Sequence, residues 1–311
     1  MHFDLVRNFR AFLGVEVGVG RSVNSDLSLI ETARSGHSVS DSSGLVLPPH
    51  VFSSLEESRR KLLDTIAYVS GGKDVTFVRS YGNIGDELIY AGLRQLLSDV
   101  PYQEISARKD LGDAEGNTAL AAGGGDWCHA FHSFNPHVLP QLEKRFKNVI
   151  LLPTTFDPRL PLVRRVLKNT KAVVFARERE SYHRIKNLCD AELAYDTAFF
   201  FDYSPYRRKG KGTLNAYRVD RETDRPPDTE SLLPADNIDI SATCASLDEW
   251  LWTISRHELI RTDRAHVTIA AALMGKRVEY RASNYFKVPA IIEFSLQGVP
   301  FVQRVEDWSA S

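Results

Sequence analysis

Tyr81-Gly82-Asn83-Ile84-Gly85-Asp86-Glu87-Leu88-Ile89 is the stretch whose reading decides the fold. The run Val75-Thr76-Phe77-Val78 leads into it as a strand, and Leu88 to Leu97 leads out as a helix. A strand, a short glycine turn and a helix form the phosphate-site layout of α/β proteins, in which helix amides face an anion. Gly82 and Gly85 permit close approach of backbone N–H groups to a ligand. Asp86 and Glu87 stand where the helix dipole favours negative charge, so this motif alone reads as a capped helix after a tight turn.

The same pattern recurs downstream. Thr118 to Ala122 is a short apolar run ending in Gly123-Gly124-Gly125-Asp126. Val149 to Leu152 ends in Pro153-Thr154-Thr155, and Ala172 to Ala176 ends in Arg177-Glu178-Arg179-Glu180-Ser181. Helical stretches, His137 to Phe146 and Leu160 to Leu167, lie between them. Strands alternating with helices at this spacing predict βαβ units and a parallel sheet, with functional groups beyond the carboxyl ends of the strands. After the basic, glycine-rich segment Tyr206 to Gly212, Thr213 to Val219, Asn237 to Ile240, Leu259 to Asp263 and Arg277 to Tyr280 read as further strands. Helices are expected over Leu55 to Ile66, Ser246 to Ser255, Arg264 to Met274 and Pro289 to Leu296, with Gly275 as a C-terminal cap. The fold class expected is α/β, with two Rossmann-like domains facing a cleft. The boundaries are an N-terminal extension over 1–50 closed by Pro48 and Pro49, an α/β domain over 51–205, and a second over 206–311.

Composition narrows the function. The 311 residues suffice for two domains and a buried core, and 43% apolar with 25% charged content is ordinary for a globular protein. Lys plus Arg (39) balances Asp plus Glu (40), which argues against a nucleic-acid partner. Cys128, Cys189 and Cys244 form no CxxC pair, so neither a disulfide scaffold nor a structural zinc site is expected. The first residues do not resemble a secretory leader and no apolar run is long enough to span a bilayer, so a cytoplasmic protein is expected.

Four constellations can carry chemistry. The turn at Asn83, Gly85 and Asp86 is the first. Gly124 and Gly125 form a loop costly to order, which suits backbone passing close to a ligand and equally suits a tight turn. Arg177 should emerge at a strand's carboxyl end with its fork of donors turned to a carboxylate or phosphate, or to Glu178 or Glu180 in a salt bridge. Arg264 and His266 open an apolar helix, where amides, a guanidinium and an imidazole can bind an anion and move a proton; Asp263 reads as the N-cap. His129 and His132, with Asp126 nearby, share a helical face, but no second cluster completes a coordination sphere, so no metal is expected. Trp127, Phe131, Phe134, Trp250 and Trp252 could stack on sugars, although core packing is their usual fate.

Taken in order, these motifs resemble the polysaccharide pyruvyl transferase family: Gly82-Asn83-Ile84-Gly85-Asp86, Gly123-Gly124-Gly125, Arg177-Glu178 with Ser181, Asp196, Thr262-Asp263-Arg264-Ala265-His266 with Ala270 and Gly275, then Asn284-Tyr285 with Lys287. The resemblance spans roughly residues 75–287 and implies a fold similar to the B-type glycosyltransferases. It implies transfer of a pyruvyl group from phosphoenolpyruvate to two hydroxyls of a sugar, giving a cyclic ketal and phosphate. The partners implied are phosphoenolpyruvate as donor substrate, no other cofactor, and a sugar or lipid-linked glycan acceptor, with peripheral contact to a membrane-bound acceptor. On this resemblance Asp86 and His266 are the acid–base pair. Asn83, Gly85, Gly124, Gly125, Arg177 and Arg264 bind substrate, the two arginines holding the donor. A nucleotide-sugar glycosyltransferase of similar architecture and a non-catalytic relative remain the alternatives.

Overall fold

The structure is a computed structural model that describes residues 45–128, 134–224 and 233–306. Residues 1–44 of the expected extension, and with them most of that segment, lie outside the described residues. Its expected end is displaced, because Pro49 opens helix α1 (Pro49–Ser70) with Pro48 as N-cap. Proline suits a first helical turn, where its missing N–H would be unpaired in any residue.

The chain then builds a first sheet from β1 (Val75–Arg79), α2 (Ile84–Leu96), β2 (Tyr102–Ser106), β3 (Gly116–Ala121), β4 (Gly124–Trp127), α3 (Asn135–Arg145), β5 (Phe146–Phe156), α4 (Pro161–Asn169), β6 (Val173–Ala176), α5 (Arg179–Ile185) and β7 (Ala191–Leu193). All its pairings are parallel, in the order β2-β1-β3-β5-β6-β7, with β4 added against β5. Successive side chains enter opposite cores, as the period of two demands. Phe77 and Leu120 pack with Leu62, Ile66, Ile89 and Phe175 on one face. Val78, Ala119 and Ala121 pack with Leu139, Leu142 and Val174 on the other. Because helices cover both faces, the strands read as nearly continuous apolar runs.

A second, four-stranded parallel sheet follows from β8 (Thr213–Ala216), α6 (Ile240–Thr243), α7 (Leu247–Ser255), β9 (Leu259–Thr262), α8 (Ala265–Leu273), β10 (Arg277–Tyr280), α9 (Lys287–Ser295) and β11 (Val302–Arg304), in the order β11-β10-β9-β8. Asn237 to Ile240 is not the strand expected. Asn237 instead bonds the backbone of Tyr217, and Ile240 starts the short α6. The described residues form one compact unit. The physical reason is a shared core, in which Leu88 of α2 and Tyr195, Ala198 and Phe199 pack with Trp250, Ile260, Val267 and Ile291 of the second half.

Strand β1 lies between β2 and β3, so the winding of the first sheet reverses there. Ligand sites in open parallel sheets form beyond the carboxyl ends of the strands at such a reversal. The glycine turn follows β1 and the triple glycine follows β3.

Candidate active site

The first wall is the start of α2. Asn83 is its N-cap: its Oδ1 accepts the Gly85 N–H at 2.7 Å, and Asp86 Oδ2 accepts the Asn83 N–H at 2.8 Å. This reciprocal box satisfies two otherwise orphaned amides and contributes about 1 kcal/mol. Asp86 therefore does cap the helix, with one oxygen. Its other oxygen, Oδ1, faces the triple glycine: a Cβ on Gly124 would lie 3.5 Å from it. Gly124 has φ 134, a conformation that residues with side chains rarely adopt.

The glycine loop opens β4, and its last residue, Asp126, lies beside Asp86. Asp126 Oδ2 accepts from Asn135 Nδ2 at 2.9 Å, and Asn135 Oδ1 accepts from Ser80 Oγ at 2.7 Å. Burial and the neighbouring Asp86 charge push the Asp126 carboxyl up to about 7, against the pull of Lys287 and Arg177. In sequence Asp126 is marked only as the end of the glycine loop and as a neighbour of His129 and His132. Those two histidines lie outside the described residues. Among the described residues no group of three or more His, Cys, Asp or Glu could hold a metal ion.

The second wall is a buried chain of three residues. Arg177 leaves β6 and is 2% exposed. Its Nε donates to Thr155 Oγ1 and its Nη1 to Asp196 Oδ2, both at 2.8 Å. Nη2 points towards Gly125, 3.7 Å from where a Cβ there would sit. The same Asp196 oxygen lies 3.3 Å from His266 Nε2, and Asp196 Oδ1 accepts the Ala198 N–H at 2.9 Å. Burial opposes the Asp196 charge, but His266, Arg177 and the Ala198 amide outweigh it and hold the carboxyl well below the usual range. The bond to Asp196 assigns the imidazole proton to Nε2 in the neutral ring, leaving Nδ1 as acceptor. Nδ1 faces the first turn of α2, where a Cβ on Gly85 would approach it to 2.7 Å. Gly85 is thus required by the histidine from the other sheet, which no local pattern reveals.

Asp196 is positioned by a close approach. Gly92 of α2 lets the helix press against the 3₁₀ turn Thr197–Phe200, since a Cβ there would lie 2.0 Å from the Thr197 carbonyl oxygen. Thr197 Oγ1 also donates to the Ile89 carbonyl at 2.9 Å.

The structure brings Asn83, Gly85, Asp86, Gly124, Gly125, Arg177 and His266 together. Arg264 is directed elsewhere. It is itself the N-cap residue of α8, and its fork binds Asp239 (2.8 and 2.6 Å) and Asp220 (3.0 Å). Asp263 is not the cap expected: Asp263 Oδ1 accepts the Arg218 N–H at 2.8 Å. Burial, its main cause, pushes that carboxyl up to about 6. A cation beyond those expected is Lys287, the first residue of α9. Its Nζ lies 3.5 Å from the Cβ position of Gly125 and bonds both oxygens of Glu222, at 2.6 and 2.8 Å. Lys287 belonged to the motif set without a role. Glu222 carries no sequence signal beyond a polar loop, because besides Arg218, four residues earlier, it meets Lys287 sixty-five residues later.

A family model described as polysaccharide pyruvyl transferase matches residues 83–278, well over half the chain and all the wall residues except Lys287. The chain belongs to the polysaccharide pyruvyl transferase family. Among solved structures, this family member is similar to a functionally uncharacterised protein from Klebsiella pneumoniae subsp. pneumoniae NTUH-K2044, at 22% identity and TM-score 0.64. That match covers 81% of this chain and 98% of the other, and it shows a shared fold. No curated protein matches the chain.

Chemically, the arrangement offers two buried cations, Arg177 and Lys287, around glycine-lined backbone. It also offers three groups able to exchange protons, Asp86, Asp126 and His266. Such a set can bind a small dianion or trianion and move protons around it. The aromatic candidates divide. Trp127 and Trp250 are buried in the core, Phe134 packs against it, and Phe131 lies outside the described residues. Trp252 stacks edge-on with Tyr206, away from these groups in the fold.

Proposed function

We propose that the site transfers the pyruvyl group of phosphoenolpyruvate to two hydroxyls of a sugar, forming a cyclic ketal and releasing phosphate. The observation that carries this reading is the Arg177–Asp196–His266 chain set against the glycine-lined turn that holds Asp86. Arg177 and Lys287 bind the donor's carboxylate and phosphate, joined by the Gly125 backbone. Arg264 is also part of this proposal: its pairs with Asp239 and Asp220 fix the start of α8, and with it His266.

The methylene carbon of the donor takes up one proton, and a sugar hydroxyl attacks the resulting oxocarbenium carbon and gives up its proton. Phosphate then leaves from that carbon, and a second hydroxyl, losing its proton, closes the ketal. Of the two hydroxyl protons, one replaces that given to carbon and one leaves with phosphate. His266, with Nδ1 free to accept, and Asp86, with Oδ1 turned into the site, are the acid–base pair. A nearby carboxylate stabilises the cationic carbon. The acceptor is a polysaccharide or lipid-linked glycan precursor on the cytoplasmic side. No helix among the described residues is long and apolar enough to cross a membrane, so contact with a membrane-bound acceptor is peripheral in this reading.

Phosphate release from phosphoenolpyruvate, measured with and without a panel of glycans, tests the reading. Acceptor-dependent release supports it. No release with any acceptor, together with a rise in melting temperature on adding a nucleoside diphosphate, would favour a nucleotide-sugar glycosyltransferase instead. Absence of both would favour a binding protein.

A further inference from the structure

A cavity lies apart from the catalytic groups, none of which lines it. It encloses about 580 Å³ between α5 and α9 and is open to solvent. Its walls carry Arg179 and Glu180 from α5, Ser283, Asn284 and Phe286 from the loop after β10, and Phe294 from α9. Arg304, at the end of β11, closes its far side. Because β6, β10 and β11 each end here, the cleft lies at the carboxyl edge of both sheets, where ligands of parallel sheets bind. It adjoins the donor groups along the chain, Phe286 preceding Lys287 and Arg179 following Arg177 by two residues.

We infer that this cleft is the acceptor subsite and that it holds an uncharged, hydroxyl-rich oligosaccharide. The inference rests on the pyruvyl-transfer reading for the word acceptor, but the binding itself is a separate claim. Volume is the first argument. The cleft falls within the roughly 300–1,000 Å³ of small-ligand sites and far exceeds the need of a three-carbon donor. Chemistry is the second. Half-buried rings, Phe286 and Phe294, and Pro289 give flat apolar surface for sugar faces, while the exposed Glu293 carboxylate and the Oδ1 of Asn284, whose Nδ2 is held by the Arg221 carbonyl at 2.8 Å, offer acceptors to hydroxyls. Charge is the third. Among the described residues the walls carry two guanidiniums, Arg179 and Arg304, against three carboxylates, Glu180, Asp224 and Glu293, with a third guanidinium, Arg184, over the Phe286 ring and paired with Glu180. Arg304 is moreover paired with Glu293 and Glu306, and Arg179 lies over the Phe294 ring at 5.2 Å. A cleft with no excess of positive charge disfavours a polyanionic ligand.

The test uses the full chain and tri- to pentasaccharides of glucose, mannose and galactose, with binding read by saturation-transfer NMR and titration calorimetry. Ala290→Trp, on the half-exposed face of α9, fills the cleft. Glu293→Ala removes an exposed side chain paired with the half-exposed Arg304, and guards against the tryptophan variant failing to fold. The inference expects at least one oligosaccharide to bind the wild type, and its affinity to fall at least tenfold in both variants with melting temperatures little changed. Binding that is undiminished in the folded variants, or no binding by any of these sugars, overturns it. Titration of phosphoenolpyruvate alone into the same proteins reports on the catalytic groups. Loss of donor binding in the wild type refutes the pyruvyl-transfer reading without touching the cleft, and sugar binding is scored independently.

Discussion

Replacing Asp126 by asparagine measures the cost of a carboxylate buried beside Asp86. The variant keeps shape, and its side-chain oxygen can still accept from Asn135 Nδ2, which now bonds the carboxylate at 2.9 Å. What it removes is a negative charge that burial and Asp86 oppose and that Lys287 and Arg177 only partly offset. The folded carboxyl titrates at about 7 and the unfolded one at 3.8. Between those values the folded state binds the proton more tightly, so this group's contribution to stability falls as pH rises from the lower to the upper value. At about 1.36 kcal/mol per unit, the ionisable side chain costs roughly 1 kcal/mol at pH 4.5 and at most roughly 4 kcal/mol at pH 8. Urea unfolding of both proteins at the two pH values measures it. The expected result is a variant more stable than wild type at pH 8, with most of the gain gone at pH 4.5. A variant no more stable at pH 8, or a gain of equal size at both pH values, would refute the account of Asp126 as a carboxylate opposed by burial and by Asp86.

Further outcomes follow from the same geometry. Gly85→Ala places a methyl 2.7 Å from His266 Nδ1 and must displace the imidazole; kcat should fall by about 100-fold, as misplacement by an ångström does, with the circular dichroism spectrum unchanged. Asp196→Asn leaves the Arg177 guanidinium buried without its anion and should cost about 3–5 kcal/mol in denaturant unfolding. Because the Asp196 carboxyl is held below its unfolded value of 3.8, its stabilisation is present above that pH and lost as pH falls, so the variant's acid unfolding should be the less steep of the two. Gly92→Ala drives a methyl to within 2.0 Å of the Thr197 carbonyl; overpacking of about 1–3 kcal/mol should outweigh the gain in helix propensity and lower the melting temperature. Lys287→Met should raise KM for phosphoenolpyruvate more than it lowers kcat in steady-state kinetics, since the ammonium is proposed to bind the donor and not to transfer protons.

Much of the α/β pattern could be read without coordinates, because buried parallel strands leave nearly continuous apolar runs and helices leave capping signals. Val75 to Val78, Ala172 to Ala176 and Leu259 to Thr262 became strands, and Ser246, Asn83 and Gly275 stand at helix ends. β2 and β11 were missed, being short edge strands with half-exposed, polar sequences. Asn237 to Ile240 was misread because two apolar side chains in four residues fit a strand and a short helix equally well.

The sequence by itself determined a capped helix start at the Gly82–Asp86 turn, the emergence of Arg177 from a strand end and the placing of His266 in a helix's first turn. Each depends on residues a few positions apart, and local backbone geometry settles such relations. Tertiary structure alone decided which of these groups meet. It joined His266 to Asp196 across 70 positions and Lys287 to Glu222 across 65, and it drew the Arg264 fork to Asp239 and Asp220. Those pairings follow from two sheets closing on one core, and the charges buried there take the nearest opposite charge, whatever its distance along the chain.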